Sequence, residues 1–165
     1  DAIREGLTSF ESDFESNPGR SNYFDVGGIR VLLDYAHNVH GLNAILDTTA
    51  KLGATQRIMT LSMAGDRTEK EIRDMAAAAA KDGIKDILVS DCLGYERELG
   101  TGGVPLILAD ELKKHGIEAD MFESELDAVR AAFERATDGD LLILLVKAER
   151  AESLEVILSK IEQRV

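Results

Sequence analysis

Ile29-Arg30-Val31-Leu32-Leu33-Asp34-Tyr35-Ala36-His37-Asn38 runs from a β-branched and aliphatic strand pattern into an acid and then a tight polar turn. A helix-patterned segment begins near His40. In an open α/β sheet, ligands bind where strands end and helices begin, because backbone N–H groups and the helix dipole point there. Asp34 at that place is not a core-packing residue. Its carboxylate is poised to accept hydrogen bonds from hydroxyls, from a cation or from the turn that follows. Capping of the next helix is the competing use of the same group, and the two are compatible.

The same unit recurs along the chain. Asn22–Val26 and Ile29–Asp34 read as short strands joined by Gly27-Gly28, a two-residue hairpin signal. A helix over 41–52 carries Leu42, Ile45, Leu46 and Leu52 at helical spacing. A strand over 57–62 and a helix over 68–81 follow, with Thr68 and Glu71 reading as a capping box. The pattern then predicts a strand over 86–90, a glycine-rich loop over 93–103 and a helix over 104–115. A strand over 119–122, a helix over 125–137, a strand over 140–146 and a closing helix over 151–161 complete it. Residues 1–10 read as a helix with Ile3, Leu7 and Phe10 on one face, and 12–19 as a polar connection. Strands alternating with helices imply right-handed crossovers and a mostly parallel sheet. The expected fold is a Rossmann-like three-layer α/β/α sandwich with one antiparallel edge strand contributed by the Gly-Gly hairpin.

At 165 residues the chain fits one domain with a real core. The single Cys92 excludes a disulfide framework and points to a reducing, cytoplasmic compartment. No apolar run approaches the ~18 residues of a membrane span. The opening Asp1-Ala2-Ile3 lacks a methionine and reads as a cut piece of something longer. A net charge of -12, with 31 acids against 19 Lys+Arg, argues against nucleic-acid binding, which needs a basic footprint. The same field repels a triphosphate, so a phosphate site here needs local cations, backbone amides or Mg²⁺.

The turns after the parallel strands share one edge of such a sheet. That edge collects Asp34-Tyr35-Ala36-His37-Asn38, Met63-Ala64-Gly65-Asp66-Arg67, Asp91-Cys92-Leu93-Gly94-Tyr95-Glu96-Arg97 and Lys147-Ala148-Glu149-Arg150. Polar, glycine-bearing and basic groups converging behind apolar strands mark a ligand edge. Neither a GxxxxGK[ST] phosphate loop nor a GxGxxG turn is present, so the chain alone should not grip ATP strongly and a nicotinamide dinucleotide is disfavoured. Cys92 reads as small buried filler rather than a reactive thiol. His37 and His40 can be drawn with Asp34 as a metal site, but no other strong ligand stands nearby and no metal is assigned.

Pro18-Gly19-Arg20, followed at strand distance by Asp34-Tyr35-Ala36-His37-Asn38, resembles the start of the C-terminal domain of the Mur ligase superfamily of ATP-dependent amide ligases. Gly65-Asp66-Arg67, the loop from Arg97 to Pro105 before a helix, and Gly139-Asp140-Leu141 through Lys147 fit in the same order. Within the family, the stretch from Tyr95 to Pro105, His40-Gly41 and the ending from Lys147 to Arg150 are most similar to the cyanophycin synthetases. The resemblance implies that residues 1–16 are a linker helix leaving a preceding ATPase domain and that 17–165 are the Mur ligase C-terminal domain. That domain would bind the incoming amino acid and close over ATP and Mg²⁺, both held mainly by the missing central domain.

The resemblance also implies roles. Arg20 reaches nucleotide phosphates or ribose, for which a permanently charged, bidentate guanidinium is suited. Asp34 contacts the ribose or orders its turn, and Tyr35, His37 and Asn38 shape the nucleotide-facing loop. Gly65, Asp66 and Arg67, with Arg97 and Lys147, lie towards the amino acid and the acyl-phosphate. Arg20, Asp34 and Arg67 are thus the expected catalytic set. Val39, where the family has proline after Asn38, and Met63-Ala64, where it is glycine-rich, depart from the pattern. Arg67, Arg97, Lys147 and Arg150 also admit a plain surface reading, and the acids between Phe122 and Asp127 read as a solvated face. A freestanding small-anion or receiver-like interaction module is the alternative, because Asp34, Asp66 and Asp91 all follow strands.

Overall fold

The computed structural model describes Asn17 and residues 19–163; the helix expected over 1–10, the linker over 1–16 and Pro18 lie outside the described residues. The elements are β1 Asn22–Val26, β2 Ile29–Asp34, α1 Val39–Thr49, β3 Arg57–Ser62, α2 Glu69–Lys81 and β4 Asp86–Ser90. They continue with α3 Gly103–Lys114, β5 Asp120–Phe122, α4 Glu125–Arg135, β6 Leu141–Leu145 and α5 Arg150–Glu162. Single 3₁₀ turns occupy Ala50–Leu52 and Arg97–Leu99, the second inside the glycine-rich loop.

The sheet order is β1-β2-β6-β3-β4-β5, with β1 antiparallel to β2 and every other pairing parallel. The Gly-Gly hairpin is as expected: Val26 faces Ile29, and Gly27 and Gly28 take φ of 57° and 87°, the left-handed pair a two-residue hairpin requires. Alternate strand residues feed two cores. Leu32, Met59, Leu61, Val89, Ile143 and Leu145 meet α1, α2 and α3 through Leu42, Ile72, Met75 and Leu108. Val31, Leu33, Ile58, Leu88, Leu142 and Leu144 meet α4 and α5 through Val129, Phe133 and Ile157. Each such side chain, removed from water, contributes about 2 kcal/mol, so the three-layer sandwich needs no staple. Among the described residues, no helix is long and apolar enough to cross a membrane.

Local chemistry moves several boundaries by one to three residues. α1 starts at Val39 because Asn38, in extended conformation, caps it and accepts from the Gly41 N–H at 2.8 Å. Capping is therefore the work of Asn38 and not of Asp34. α2 opens on the expected box, Thr68 and Glu71 each bonding the other's backbone. α4 stops at Arg135 because the Thr137 N–H and hydroxyl both turn to the Asp140 carboxylate, at 2.8 and 3.0 Å. The expectation of a solvated acidic face between Phe122 and Asp127 fails at Glu125, which is 1% exposed because the start of α4 lies against the ends of β3 and β6.

Candidate functional site

Strand order creates the crevice. β6 lies between β2 and β3, yet α5, which follows β6, packs on the face opposite to α1 and α2, which follow β2 and β3. Neighbouring chains leave the sheet in opposite directions there, and the carboxyl ends of the strands are left open between them.

An outer groove of ≈ 420 Å³ is bordered by Arg20, Asp34, Tyr35, His37, Asn38 and His40, among others. Asp34 does not face it as a bare acid. Its Oδ2 accepts from the Ser21 N–H at 2.8 Å and the Ser21 hydroxyl at 3.1 Å. Those bonds hold Ser21 at φ 50°, a left-handed conformation costly for a residue with a Cβ. The Gly19 N–H donates to Asn22 Oδ1 at 2.6 Å, so the whole 19–22 turn that presents Arg20 is tied down. The Arg20 guanidinium lies 5.9 Å from the centroid of the Tyr35 ring, and that of Arg150, at the start of α5, lies 4.9 Å from it. A cation in the first turn of a helix opposes the helix dipole, which makes Arg150 more informative than an ordinary surface charge.

A smaller inner cleft of ≈ 140 Å³ is lined by Tyr35, His37, Met63, Ala64, Asp66, Arg67, Cys92, Tyr95 and Lys147. Tyr35 and His37 border both hollows, so Arg20, Asp34 and Arg67 occupy one continuous rim. Arg67 approaches Asp66 only at 3.7 Å with both side chains well exposed, a pairing worth little. Lys147, against the surface reading, is 8% exposed; its Nζ donates to Ser62 Oγ at 3.1 Å. Burial pushes its ammonium below the ordinary lysine range, and Glu125 opposes that shift. Burial pushes the Cys92 thiol up to about 12, so it stays protonated and is the buried filler expected.

Arg97 and Gly65 border a hollow next to the inner cleft. Arg97 lies 5.3 Å from the Tyr95 ring centroid and shares that hollow with Asp66 and Arg67. Gly65 donates its N–H to the Tyr95 carbonyl at 2.7 Å, and a Cβ there would fall on the Glu96 backbone carbonyl. Only a glycine permits this close approach of the two turns. Asp91, 2% exposed, accepts from the Gly102 N–H at 2.6 Å and so fixes the loop between them; burial raises its carboxyl above the usual range.

Three groups at this edge escaped assignment from sequence. Arg150 carried a signal, its place after the last strand, but one equally consistent with a surface charge. Ser62 and Glu125 carried none, because only the strand order brings α4 against the ends of β3 and β6.

The family model described as "Mur ligase, glutamate ligase domain" matches residues 19–148. Cyanophycin synthetase from Nostoc sp. is 29% identical over 150 residues, which span 87% of this chain and 16% of that protein. A UDP-N-acetylmuramoyl-L-alanyl-D-glutamate–2,6-diaminopimelate ligase from Geobacter metallireducens is 35% identical over 165 aligned residues, spanning 89% of this chain and 30% of that one. The structure of Mycobacterium tuberculosis folylpolyglutamate synthase complexed with ADP superposes with a TM-score of 0.69 at 22% identity, over 93% of this chain and 34% of the other. The chain thus spans about a third or less of the length of each of these relatives.

Proposed function

The chain belongs to the Mur ligase family, as its glutamate ligase domain, and from that premise we propose that it is the C-terminal domain of an ATP-dependent, cytoplasmic amino-acid ligase resembling cyanophycin synthetase. In this reading a preceding ATPase domain of the same chain, reached through residues 1–16, holds the nucleotide and Mg²⁺. Among the described residues no group of three or more His, Cys, Asp and Glu side chains is arranged to hold a metal ion. The bound nucleotide would supply the phosphoryl group that activates a carboxylate as an acyl-phosphate; an incoming amine would then bond to the acyl carbon, and phosphate would leave.

The observation that carries the reading is the continuous rim, an outer groove and an inner cleft that share Tyr35 and His37 and are bordered by Arg20, Arg67 and Lys147. A phosphate-bearing ligand suits the outer groove. Arg20 and Arg150 lie over Tyr35, and the first turn of α1 has no acid to compete for its N–H groups. Arg20 would neutralise charge on the transferring group, and the Asp34–Ser21 bonds would keep Arg20 aimed. The inner cleft suits the amino acid: Lys147 and Arg67 offer cations to its carboxylate, while Asp66 and His37 stand beside them. Closure of this rim against the nucleotide domain would exclude water from the acyl-phosphate.

The receiver-like alternative needs free acids gathered after the strands; Asp34 and Asp91 instead each hold a backbone N–H. The test is phosphate release by the complete ligase across an amino-acid panel. Release should require ATP, Mg²⁺ and one class of amino acid; release indifferent to every amino acid would sink the proposal.

A further inference from the structure

A carboxylate as buried as Glu125 is costly unless it is densely hydrogen-bonded. Glu125 Oε1 accepts from the Ser62 hydroxyl and from the Lys147 N–H at 3.0 Å. Its Oε2 accepts from the N–H groups of Lys147 at 3.0 Å, Ala148 at 2.7 Å and Glu149 at 3.3 Å. Glu149 returns the contact, its carboxylate accepting from the Leu126 N–H at 3.0 Å. The start of α4 and the turn before α5 are thereby locked to each other. Ser62, which gives its own proton to Glu125, accepts from the Lys147 ammonium. One hydroxyl therefore joins a buried negative charge to a buried positive one.

We infer that Glu125 is a positioning residue for the inner cleft, holding Lys147 at its floor through Ser62 and the 147–149 turn and keeping it charged there. A neutral side chain could accept the same turn hydrogen bonds. Only a carboxylate also offsets the burial that disfavours the ammonium. The other titratable groups around Lys147 do not replace it. Cys92, after β4, is a protonated thiol. Asp34, at the end of β2, is engaged by Ser21. Tyr35 and His37 after β2, Asp66 and Arg67 after β3, and Tyr95 line the cleft mouth, and Arg67 carries the same sign as Lys147.

The first arm of the test is independent of any ligase. In the 165-residue chain, the Lys147 ε-methylene resonance is followed by NMR against pH in the wild type, in Glu125→Gln and in Ser62→Ala. The wild-type midpoint should lie below that of free lysine. Glu125→Gln should lower it by about one further pH unit, and the milder Ser62→Ala should move it the same way by less. An unmoved midpoint in whichever variant keeps the wild-type amide spectrum overturns the inference.

The second arm rests on the ligase reading: in the complete enzyme, Glu125→Gln should raise the amino-acid KM about tenfold, leave the ATP KM within about twofold, and shift the pH limb of kcat/KM downward. A shifted Lys147 titration with an unchanged amino-acid KM supports the role of Glu125 and counts against the cleft as the amino-acid site.

Discussion

At the amino edge of the sheet, Arg57 meets Asp82, and Arg135 meets both Asp86 at 2.7 Å and Asp120. At the carboxyl edge, Arg20 and Arg150 lie over the Tyr35 ring and Arg97 over that of Tyr95, while Lys147 reaches a serine hydroxyl. Arginine is the same residue at both edges, but its neighbours differ. Carboxylate partners at the amino edge neutralise the charge and fasten helix ends to strands. At the carboxyl edge the cations rest against aromatic rings and a hydroxyl, beside the crevice proposed to receive an anion. In a chain of net charge -12, that local arrangement is what a phosphate-bearing or carboxylate ligand needs to overcome the overall field.

Substitutions should separate the two edges, and the largest effect is expected on turnover. In the complete ligase, Arg20→Ala or Asp34→Ala should reduce kcat/KM at least about tenfold with little change in melting temperature. Normal turnover in both variants would remove the functional half of the contrast. At the opposite edge, Arg57→Ala leaves the Asp82 carboxylate, 19% exposed, without its partner. That should cost about 1–3 kcal/mol and lower the melting temperature by roughly 3–10 °C without affecting ligand KM values. Calorimetry with parallel steady-state kinetics reads both.

Lys147→Met sharpens the comparison further. Removing the ammonium leaves the Glu125 carboxylate buried without its countercharge, held only by hydroxyl and N–H donors, so thermal stability should fall by about 1–3 kcal/mol. It should also raise the amino-acid KM. A loss of stability with an unchanged amino-acid KM would instead make Lys147 a member of the fold-holding set.

The smallest effect belongs to the α2–α3 surface, where Arg73 bonds Asp110 at 2.6 Å and Glu111 at 3.1 Å, and Lys114 bonds Glu111 at 2.9 Å. Arg73 holds Asp110, and chiefly Lys114 holds Glu111, below the ordinary carboxylate range. A depressed folded-state value contributes stability that is present above the usual carboxylate range and lost as pH falls through the folded value. The urea midpoint should therefore drop on acidification from about pH 6 to about pH 3, and Arg73→Ala should make the drop shallower. Solvent screening keeps the difference small.

Much of this was legible in the chain itself. Period-two and helical patterns gave every strand and helix among the described residues, because each element buries one face. The Gly27-Gly28 hairpin and the Thr68–Glu71 box carry their geometry in their residue types. Strand order was not legible, since alternation says only that strands are parallel and not that β6 inserts between β2 and β3. Everything depending on that insertion was hidden with it: the burial of Lys147, the Glu125–Ser62 contact and the place of Arg150 over Tyr35. The packing of Gly65 was hidden for a related reason. Its neighbour, the Glu96 carbonyl, lies 31 positions away in sequence and comes close only when the two turns fold over one edge.

The most direct test is amide hydrogen exchange in the complete ligase, with and without a non-hydrolysable ATP analogue and the amino acid that supports phosphate release. Added protection should fall on residues 19–21, 34–38 and 63–67, with residues 82–86 and 135–140 unchanged. Protection confined to the amino edge, or absent from the Arg20 and Asp34 turns, would contradict a carboxyl rim built to meet a nucleotide-bearing neighbour.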